Sequence, residues 1–525
     1  MPQLALTERF ELAVDSLVEY ASTRRGTLLI TVALIVAACG ATTQYLAPDL
    51  DLFTRVALGR LIDVSNDIPV ADPWAYTPRK PVWHDHEIVP AILFYTTSQI
   101  GGDTGLFLLK WCFIAITLAL IFAAQRLAGN ATATGLAFIS LAMPDMLLVW
   151  VPNIRAQVLT FLCYSFFLFT FTQARFRGRN SLLLLLPLVE VLWVNSHGGF
   201  IIGPIFTTIF AIILWWEKRS SLVVYGALLG VLLAPLCNPY GLSFLRFIFG
   251  AVTHLPPEIS EWSALRPWTP HGLIVYGLVS LVLLGLRAHR KVPREGLIFI
   301  FVSGVEGLRH ERLAPLATMA IAVYGIPLFA EGLAVLTRKF PRFFTIFRRS
   351  TITALALLTT GYGIRAVFFI PTLAQGFSFD YSQYPVEAIE WLRNSRPGGK
   401  ILTHYNDGSY VLWRMGTQFK ISLDGRYDGL YPPETIRMGL EAYQPGLPAQ
   451  RTALMAFAPD YVLLGPTTPG LCEPGNMRLR EFYPGFSIVF SDGLYCVLEH
   501  TEEKRIASPI VNNHPMPDEM WRPLW

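Results

Sequence analysis

Long apolar segments without charge recur along most of this chain, and they restrict its fold more than any other feature. The segments 26–45, 200–216 and 272–286 contain no charged residue. A helix of roughly 20 apolar residues crosses the core of a bilayer. Of 525 residues, 53% are hydrophobic and 15% are charged, whereas soluble proteins average about 25% charged residues. The sequence therefore predicts a polytopic α-helical membrane protein.

The apolar runs predict about eleven membrane spans. Their approximate bounds are 27–47, 105–124, 131–151, 156–173, 181–196, 199–216, 221–236, 271–286, 295–308, 314–333 and 350–370. Every second loop then carries Lys or Arg, as cytoplasmic loops do. These loops contain Arg126; Arg175, Arg177 and Arg179; Lys218 and Arg219; Arg287, Arg290, Lys291 and Arg294; and Arg338, Lys339, Arg342, Arg348 and Arg349. The alternation predicts a multi-pass membrane protein with a cytoplasmic N-terminus.

This topology divides the chain into four parts. A cytoplasmic segment, 1–26, precedes a transmembrane domain, 27–370, whose first extracytoplasmic loop is 48–104. An extracytoplasmic α/β domain, 371–500, and a Pro-rich tail, 501–525, follow. The net charge of +4 is explained by the basic cytoplasmic loops, so no nucleic-acid partner is expected. Without a folded cytoplasmic domain or a GxxxxGK[ST] loop, an ATP-driven pump is disfavoured.

The C-terminal part reads as a small α/β module. Helices are expected at 385–394, 435–443 and 449–457, and strands at 400–404, 419–423, 461–464, 486–490 and 494–498. Asn406-Asp407-Gly408 is expected to form a turn, and Ser491-Asp492-Gly493 a hairpin turn. Cys472 and Cys496 either form a disulfide bond in an oxidising compartment or stay as two thiols.

The first extracytoplasmic loop contains acidic residues at the mouth of a span. A carboxylate at the membrane surface is costly unless it is solvated, paired or used in function. Asp49 and Asp51 lie close enough to lipid headgroups for one of them to accept a proton from a sugar acceptor. His86 and Glu87 are candidate substrate contacts, as is His197, which could equally fill a turn. Binding of a divalent cation, Mg or Mn, by Asp51, Glu87, His84 or His86 stays open.

Several short motifs resemble those of one enzyme class in order along the chain. These are Asp49-Leu50-Asp51-Leu52-Phe53, Asp72-Pro73-Trp74-Ala75-Tyr76, Trp83-His84-Asp85-His86-Glu87, Asn153-Ile154-Arg155-Ala156-Gln157, Trp193-Val194-Asn195-Ser196-His197-Gly198, Asn238-Pro239-Tyr240-Gly241, the run Arg309 to Pro315, and Asp424-Gly425-Arg426. Together they resemble bacterial type C (GT-C) glycosyltransferases, multi-span enzymes related to protein mannosyltransferases and lipid A aminoarabinose transferases.

The resemblance implies an inverting transferase that uses a polyprenyl-phosphate-linked sugar, an extracytoplasmic acceptor and membrane lipids as its partners. Asp51 matches the base, with Asp49 as the alternative. The family pattern has His after two aromatic residues, whereas this chain has Phe53-Thr54-Arg55. Any role that requires that His is therefore in doubt.

Four residues are predicted to bind the donor phosphate: Arg309, His310, Arg312 and, in reserve, Arg155. Arg binds phosphate through its planar fork and stabilises charge on a leaving group. The alternative is that these side chains only anchor the end of a helix in the headgroup layer. Two other function classes stay open, a transporter or flippase of lipid carriers and a noncatalytic membrane scaffold.

Overall fold

The chain folds into two compact units in the computed structural model, which describes residues 23–42, 47–128, 154–253, 262–341, 377–444, 446–473 and 478–501. The helical unit comprises Met1–Leu46 and Phe107–Phe377. The loop–sheet unit comprises Ala47–Leu106 and Ser378–Trp525. The segment predicted to be the first extracytoplasmic loop therefore belongs to the same compact unit as the C-terminal domain.

Apolar helices make up the helical unit. They are α1 Arg24–Ala41, the second half of α3 Ile88–Leu127, α4 Gln157–Arg177, α5 Leu186–Val194, α6 Ile202–Trp216, α7 Leu222–Leu233, α8 Leu242–Thr253, α9 Pro270–Leu284, α10 Arg294–Arg309, α11 Ala314–Tyr324 and α12 Ile326–Lys339. Short 3₁₀ turns precede α5, α6 and α11 at Asn180–Leu185, Gly198–Ile201 and Glu311–Leu313. The helix α2, Leu50–Ser65, belongs to the loop–sheet unit.

Among the described residues, three helices are long and apolar enough to cross a membrane: Ile88–Leu127, Gln157–Arg177 and Gly198–Trp216. A fourth is obtained if the pair Glu311–Tyr324 and Ile326–Lys339, bent by 87°, is counted as one span. The helical membrane character is thus confirmed, whereas the number of spans stays a prediction. The predicted spans 131–151 and 350–370 lie outside the described residues.

Two predicted spans differ from the helices. The span expected at 314–333 is interrupted at Gly325, because α11 ends there and α12 leaves at a sharp angle. The span expected at 105–124 is part of the longer α3, which begins at Ile88 and contains a non-helical residue, Gly102, with φ of 55°. Only glycine adopts that backbone conformation without strain.

Glycines allow two helices of this unit to pack backbone to backbone. A methyl group at Gly285 would lie 1.8 Å from the Leu328 carbonyl oxygen, and one at Gly332 would lie 2.0 Å from that of Leu281. The end of α9 and the start of α12 therefore approach more closely than any larger residue permits. Small residues serve this purpose at helix contacts in membranes.

The loop–sheet unit contains a five-stranded sheet of order β2-β1-β3-β5-β4. The strands are β1 Gly399–Leu402, β2 Phe419–Ile421, β3 Tyr461–Leu464, β4 Phe486–Ser491 and β5 Cys496–His500, and the helices are α13 Val386–Ser395, α14 Tyr405–Met415, α15 Tyr427–Leu430, α16 Pro433–Glu441, α17 Pro448–Phe457 and α18 Arg478–Phe482. β1 pairs in parallel with β2 and β3, and β5 pairs antiparallel with β3 and β4. The predicted α/β character of this part is confirmed.

The expected turn at Asn406-Asp407-Gly408 is wrong, since these residues lie in the first turn of α14. His404 caps the helix by accepting a hydrogen bond from the Asn406 N–H. The glycine is required for packing, because a methyl group at Gly408 would lie 2.0 Å from the Leu423 carbonyl oxygen. The hairpin expected between β4 and β5 is confirmed.

The structure shows a disulfide bond between the two cysteines of the C-terminal domain. Cys472 and Cys496 form a disulfide with their Cα atoms 5.4 Å apart. Both are buried in the core of the α/β module, beside Leu464 and Leu498. The bond ties the segment after β3 to β5.

Candidate functional site

Asp49 and Asp51 lie at the start of α2, and the structure gives them different environments. Asp49 is the N-cap residue, and its Oδ1 accepts a hydrogen bond of 2.9 Å from the Asp51 N–H. It is only 4% exposed. Asp51 is half-buried in the first helical turn, where the helix dipole favours a negative charge. The local geometry therefore assigns helix capping to Asp49 and leaves Asp51 accessible.

Arg55 follows Asp51 by one helical turn and is held by two carboxylates from the motif Trp83 to Glu87. Its Nη1 lies 2.6 Å from Asp85 Oδ1 and its Nε lies 3.3 Å from Glu87 Oε2. Burial lowers the pKa of Arg55, but the charges of Asp85, Glu87 and Asp51 outweigh it and raise the pKa. A permanent cation thus stands where the family pattern has His.

The pKa of Asp85 moves in the opposite direction. Burial alone would raise it, yet the adjacent Arg55 charge and hydrogen bond hold the pKa below its ordinary value. Asp85 Oδ1 also accepts a hydrogen bond from the Glu87 N–H. Asp85 and Glu87 therefore serve first as partners of Arg55.

The predicted metal ligands are not gathered into one group in this structure. Throughout the described residues, no three His, Cys, Asp or Glu side chains converge as a cation would require. This includes the set Asp51, Glu87, His84 and His86. Burial lowers the pKa of His84, with Lys80 adding to the effect.

Two other motifs meet in a buried ion cluster. The Arg426 guanidinium binds Asp72 and lies 2.7 Å from Asp424 Oδ2, and all three side chains are at most 1% exposed. It also lies 5.1 Å from the ring centre of Trp74 and 4.7 Å from that of Trp83, within cation–π range. Burial raises the pKa of Asp424, but Arg426 more than reverses this and lowers it. These motif residues therefore fasten the first loop to the sheet.

Aromatic rings hold the start of α2 against the C-terminal domain. Phe53 contacts Tyr384, Tyr410 and Trp413 at centroid distances of 4.9, 5.2 and 5.0 Å. The Tyr384 hydroxyl donates a hydrogen bond of 2.6 Å to the Pro48 carbonyl. Phe53 is 2% exposed. The backbone that carries Asp51 is thus fixed on both sides, at Pro48 and at Phe53.

In the helical unit, His197 and Arg312 come together although they are 115 residues apart, with His197 Nε2 and Arg312 Nη2 separated by 3.3 Å. His197 Nδ1 accepts from the Gly199 N–H at 3.1 Å and lies 2.9 Å from Thr160 Oγ1. Trp193 Nε1–H donates to the same Thr160 oxygen at 2.9 Å. Because Nδ1 accepts from the Gly199 N–H, the Thr160 hydroxyl is the donor in its contact with Nδ1.

This network determines where the ring proton of His197 resides. Because Nδ1 accepts hydrogen bonds, a neutral ring carries its proton on Nε2, the atom that faces Arg312. Two N–H donors then lie side by side, and both side chains are half-buried. Such a pair is suited to an anion with two or more acceptor oxygens. The Arg312 guanidinium also lies 5.5 Å from the Trp262 ring centre.

The other predicted phosphate ligands have different surroundings. Arg309 is 65% exposed at its side chain and pairs with Glu306 within α10. His310 Nδ1 lies 2.8 Å from the Trp262 carbonyl oxygen, so it holds a loop. Arg155 lies half-buried just before α4. The structure thus joins Arg312 to His197, which the sequence treated as separate candidates, and it does not join Arg309 to them.

Comparison with known proteins yields similarity of fold. No family model matches the sequence, and no curated protein matches it. An Archaeoglobus fulgidus oligosaccharyltransferase in the apo form superposes with a TM-score of 0.54 and 11% identity, covering 84% of this chain and 70% of that one. The A. fulgidus oligosaccharyltransferase AglB, in complex with an inhibitory peptide and a dolichol-phosphate, superposes with a TM-score of 0.54 and 11% identity. The match covers 95% of this chain and 77% of that one.

ArnT from Cupriavidus metallidurans in the apo state has a TM-score of 0.50 and 12% identity, covering 91% of this chain and 98% of that chain. All three identities are low, so the likeness concerns the fold. The resemblance to GT-C glycosyltransferases that the sequence motifs indicate is confirmed at that level: this chain has the fold shared by oligosaccharyltransferase and ArnT.

Proposed function

We propose that this protein is an inverting glycosyltransferase of the bacterial inner membrane, which moves a sugar from a polyprenyl-phosphate carrier to an extracytoplasmic acceptor. In the reaction, an acceptor hydroxyl transfers its proton to Asp51 while its oxygen bonds to the anomeric carbon. The bond from that carbon to the phosphate oxygen breaks at the same time. The electron pair leaves with polyprenyl phosphate, so one displacement inverts the configuration.

The observation that carries this proposal is the environment of Asp51. Its carboxylate is half-buried at a helix N-terminus, and within the described residues no side chain donates a hydrogen bond to it. Arg55 provides a fixed positive charge nearby, already shared with Asp85 and Glu87. A base needs both access to the acceptor and a charged form that is not consumed by a salt bridge. Asp49 is buried and its carboxylate caps the helix, so it lacks the access.

The phosphate of the donor is assigned to Arg312 and His197. Negative charge grows on the phosphate as the sugar bond breaks, and two adjacent donors stabilise that charge without a proton transfer. The N-terminus of α11 begins two residues after Arg312, and helix N-termini favour anions. In this proposal Arg309 stabilises the end of α10 and His310 holds the loop at Trp262. Arg155 is the alternative ligand of the donor phosphate.

No step in this mechanism passes through a metal ion. His84, His86, Glu87 and Asp51 do not converge in this structure. Glu87 instead supports Arg55, and its contribution to substrate binding is indirect.

The test uses purified full-length protein in liposomes with radiolabelled polyprenyl-phosphate-linked hexoses as donors and methyl hexosides as acceptors. Asp51→Asn is expected to lower transfer about 10²- to 10⁴-fold, the usual contribution of a general base. Asp49→Asn is the matched control, because Asn caps helices as well as Asp does. Normal transfer by Asp51→Asn together with loss in Asp49→Asn would move the role of base to Asp49.

A transporter of carrier lipids is the second candidate, and one observation favours it. Transporters place broken helices around their sites, and α11 and α12 form such a bent pair. Movement of a fluorescent polyprenyl phosphate across the liposome bilayer, without any sugar transfer to acceptor, would support transport and exclude the transferase.

A further inference from the structure

Asp51 and Gly425 form an accessible pair within buried surroundings. Both are half-buried, whereas the residues on either side of Gly425 are buried, with Asp424 at 0% and Arg426 at 7% exposure. Leu52, next to Asp51, is 3% exposed. Asp51 and Gly425 are therefore more accessible than Leu52, Asp424 and Arg426 beside them.

The turn containing Gly425 is anchored to α2 through Ser409. The Gly425 N–H donates to Ser409 Oγ at 3.1 Å, and the Thr54 hydroxyl donates to the same oxygen at 3.0 Å. Thr54 lies three residues after Asp51 on α2, and Ser409 is fully buried on α14. The separation between Gly425 and Asp51 is thus set by a hydrogen-bonded link and not by a loose loop.

A side chain at Gly425 would come into van der Waals contact with the Asp51 carboxylate. A methyl group at Gly425 would lie 3.5 Å from Asp51 Oδ1 and 3.0 Å from Ser409 Oγ. Gly425 is not among the glycines with positive φ in the described residues, so its backbone conformation does not itself require glycine. The absence of a side chain leaves room in front of the Asp51 carboxylate.

We propose that the turn Asp424-Gly425-Arg426 forms one wall of the acceptor subsite, and that Gly425 sets how wide a hydroxyl-bearing acceptor can be when it meets Asp51. This inference rests on the proposed function, since it takes Asp51 as the base. The C-terminal domain then selects the acceptor directly. Its substrate class is an alcohol whose hydroxyl stands on a narrow, unbranched carbon.

The experiment measures competition between acceptors of increasing width. Full-length protein in liposomes receives radiolabelled polyprenyl-phosphate hexose with water, methanol, ethanol, 2-propanol or a methyl hexoside as acceptor. Gly425→Ala should lower the ratio of transfer to 2-propanol over hydrolysis by water at least about tenfold relative to wild type. The reason is that a misplacement of about 1 Å at a reacting centre costs up to about 10²-fold.

Two further variants test whether the change in acceptor preference comes from the methyl group beside Asp51. Gly429→Ala is the matched control, because a methyl group there meets nothing within 4 Å; it should keep the wild-type ratio. Ser409→Ala combined with Gly425→Ala removes the 3.0 Å contact with Ser409 Oγ but keeps the methyl group beside Asp51. The ratio of transfer to 2-propanol over hydrolysis should fall as much from Ser409→Ala to the double variant as it falls from wild type to Gly425→Ala.

Two outcomes would overturn the inference. One is an equal loss of transfer to every acceptor in Gly425→Ala. The other is recovery of the wild-type ratio in the double variant, since the effect of Gly425→Ala would then come from displacing Ser409. The proposed function fails separately, through normal transfer and hydrolysis in Asp51→Asn.

Discussion

The two units of the molecule each contain an arginine enclosed by carboxylates. In the loop–sheet unit, Arg426 binds Asp72 and Asp424. In the helical unit, Arg175 lies 2.5 Å from Glu217 Oε2 and also binds Glu295 through two nitrogens. Each arginine joins segments distant in sequence, as buried ion pairs with complete partners can. These charges maintain the structure.

Arg312 is the arginine that contacts a candidate substrate ligand, because its guanidinium lies beside the ring nitrogen of His197 and near the ring of Trp262. Asp51 differs from the carboxylates of these clusters, because the nearby cation Arg55 is bound to Asp85 and Glu87. The comparison teaches that membership of a motif does not by itself mark a functional residue, because the motif residues Asp72, Asp424 and Arg426 are bound to one another inside the fold.

Arg426→Met is expected to show the largest effect and tests the structural side of this comparison. Removing one partner of a buried ion cluster leaves uncompensated charge and costs about 3–5 kcal/mol. Unfolding in guanidinium is followed by tryptophan fluorescence, since Trp74 and Trp83 lie against Arg426.

The control for this prediction is Arg437→Met. Arg437 is 57% exposed and pairs with Glu434 and Glu441 on the surface of α16, so its loss should cost less than about 1 kcal/mol. Equal losses of stability in the two variants would contradict the structural assignment of Arg426.

A feature of the fold or of the candidate site can be predicted from the sequence when it depends on a local pattern of residues. Hydropathy predicted the membrane helices because it needs only the residues of one segment. Strands such as Tyr461–Leu464 were predicted for the same reason. The motifs Asp72 to Tyr76 and Asp424 to Arg426 were recognised, but their meeting at one guanidinium depends on tertiary contacts that no spacing encodes.

The helix α2 was missed although its signals are present. Asp49 is a good N-cap residue, and Leu52, Phe53, Val56 and Leu61 are buried along it. The charged residues between them, such as Arg55 and Arg60, hid the apolar face, because in the fold these too are buried. In the candidate site, the sequence predicts Asp51 and Arg312 and includes Gly425 in a motif. It does not predict Ser409, or that Gly425 lies beside Asp51, because both depend on the packing of α2 on α14.

The disulfide should give the second largest effect, confined to the loop–sheet unit. Closing the loop between Cys472 and Cys496, separated by 24 residues, is worth roughly 3 kcal/mol. Dithiothreitol should therefore lower the Tm of the wild type. It should leave unchanged the Tm of a variant with both residues replaced by Ala. Cys112→Ser, at an exposed unpaired cysteine, should behave as wild type, and a Tm unaffected by reductant would exclude a stabilising bond.

Arg312→Lys tests the functional side of the comparison. Lys keeps the charge but cannot contact two phosphate oxygens with a planar fork, so the Kd for a radiolabelled polyprenyl-phosphate hexose should rise about tenfold, or roughly 1.4 kcal/mol. Stability should change little, because Lys keeps the positive charge and most of the apolar stem. Arg309→Ala is the control, and donor binding unchanged in Arg312→Lys but weakened in Arg309→Ala would reverse the assignment.

The smallest expected effect is the change of folding stability with pH that arises from two residues at the start of α14. Burial lowers the pKa of His404 to about 4, below its ordinary 6.5. Burial also raises the pKa of Asp407 to about 6, from an ordinary 3.8, although the hydrogen bond from Tyr495 opposes this. As pH falls from 6.5 to 4, the unfolded His404 gains a proton first, which destabilises the fold. Over nearly the same range the folded Asp407 gains a proton first, which stabilises it.

Each contribution amounts to about 3 kcal/mol at most, at 1.36 kcal/mol per pKa unit, so the two nearly cancel in the wild type. Asp407→Asn keeps an acceptor for Tyr495 and removes only the stabilising titration. The variant should therefore be more stable than wild type at pH 7.5 and lose that advantage towards pH 4.5, as measured by Tm. His404→Gln should show the opposite slope, with stability increasing as pH falls. Parallel Tm profiles for wild type and Asp407→Asn would show that this carboxyl titrates alike in the folded and unfolded chains.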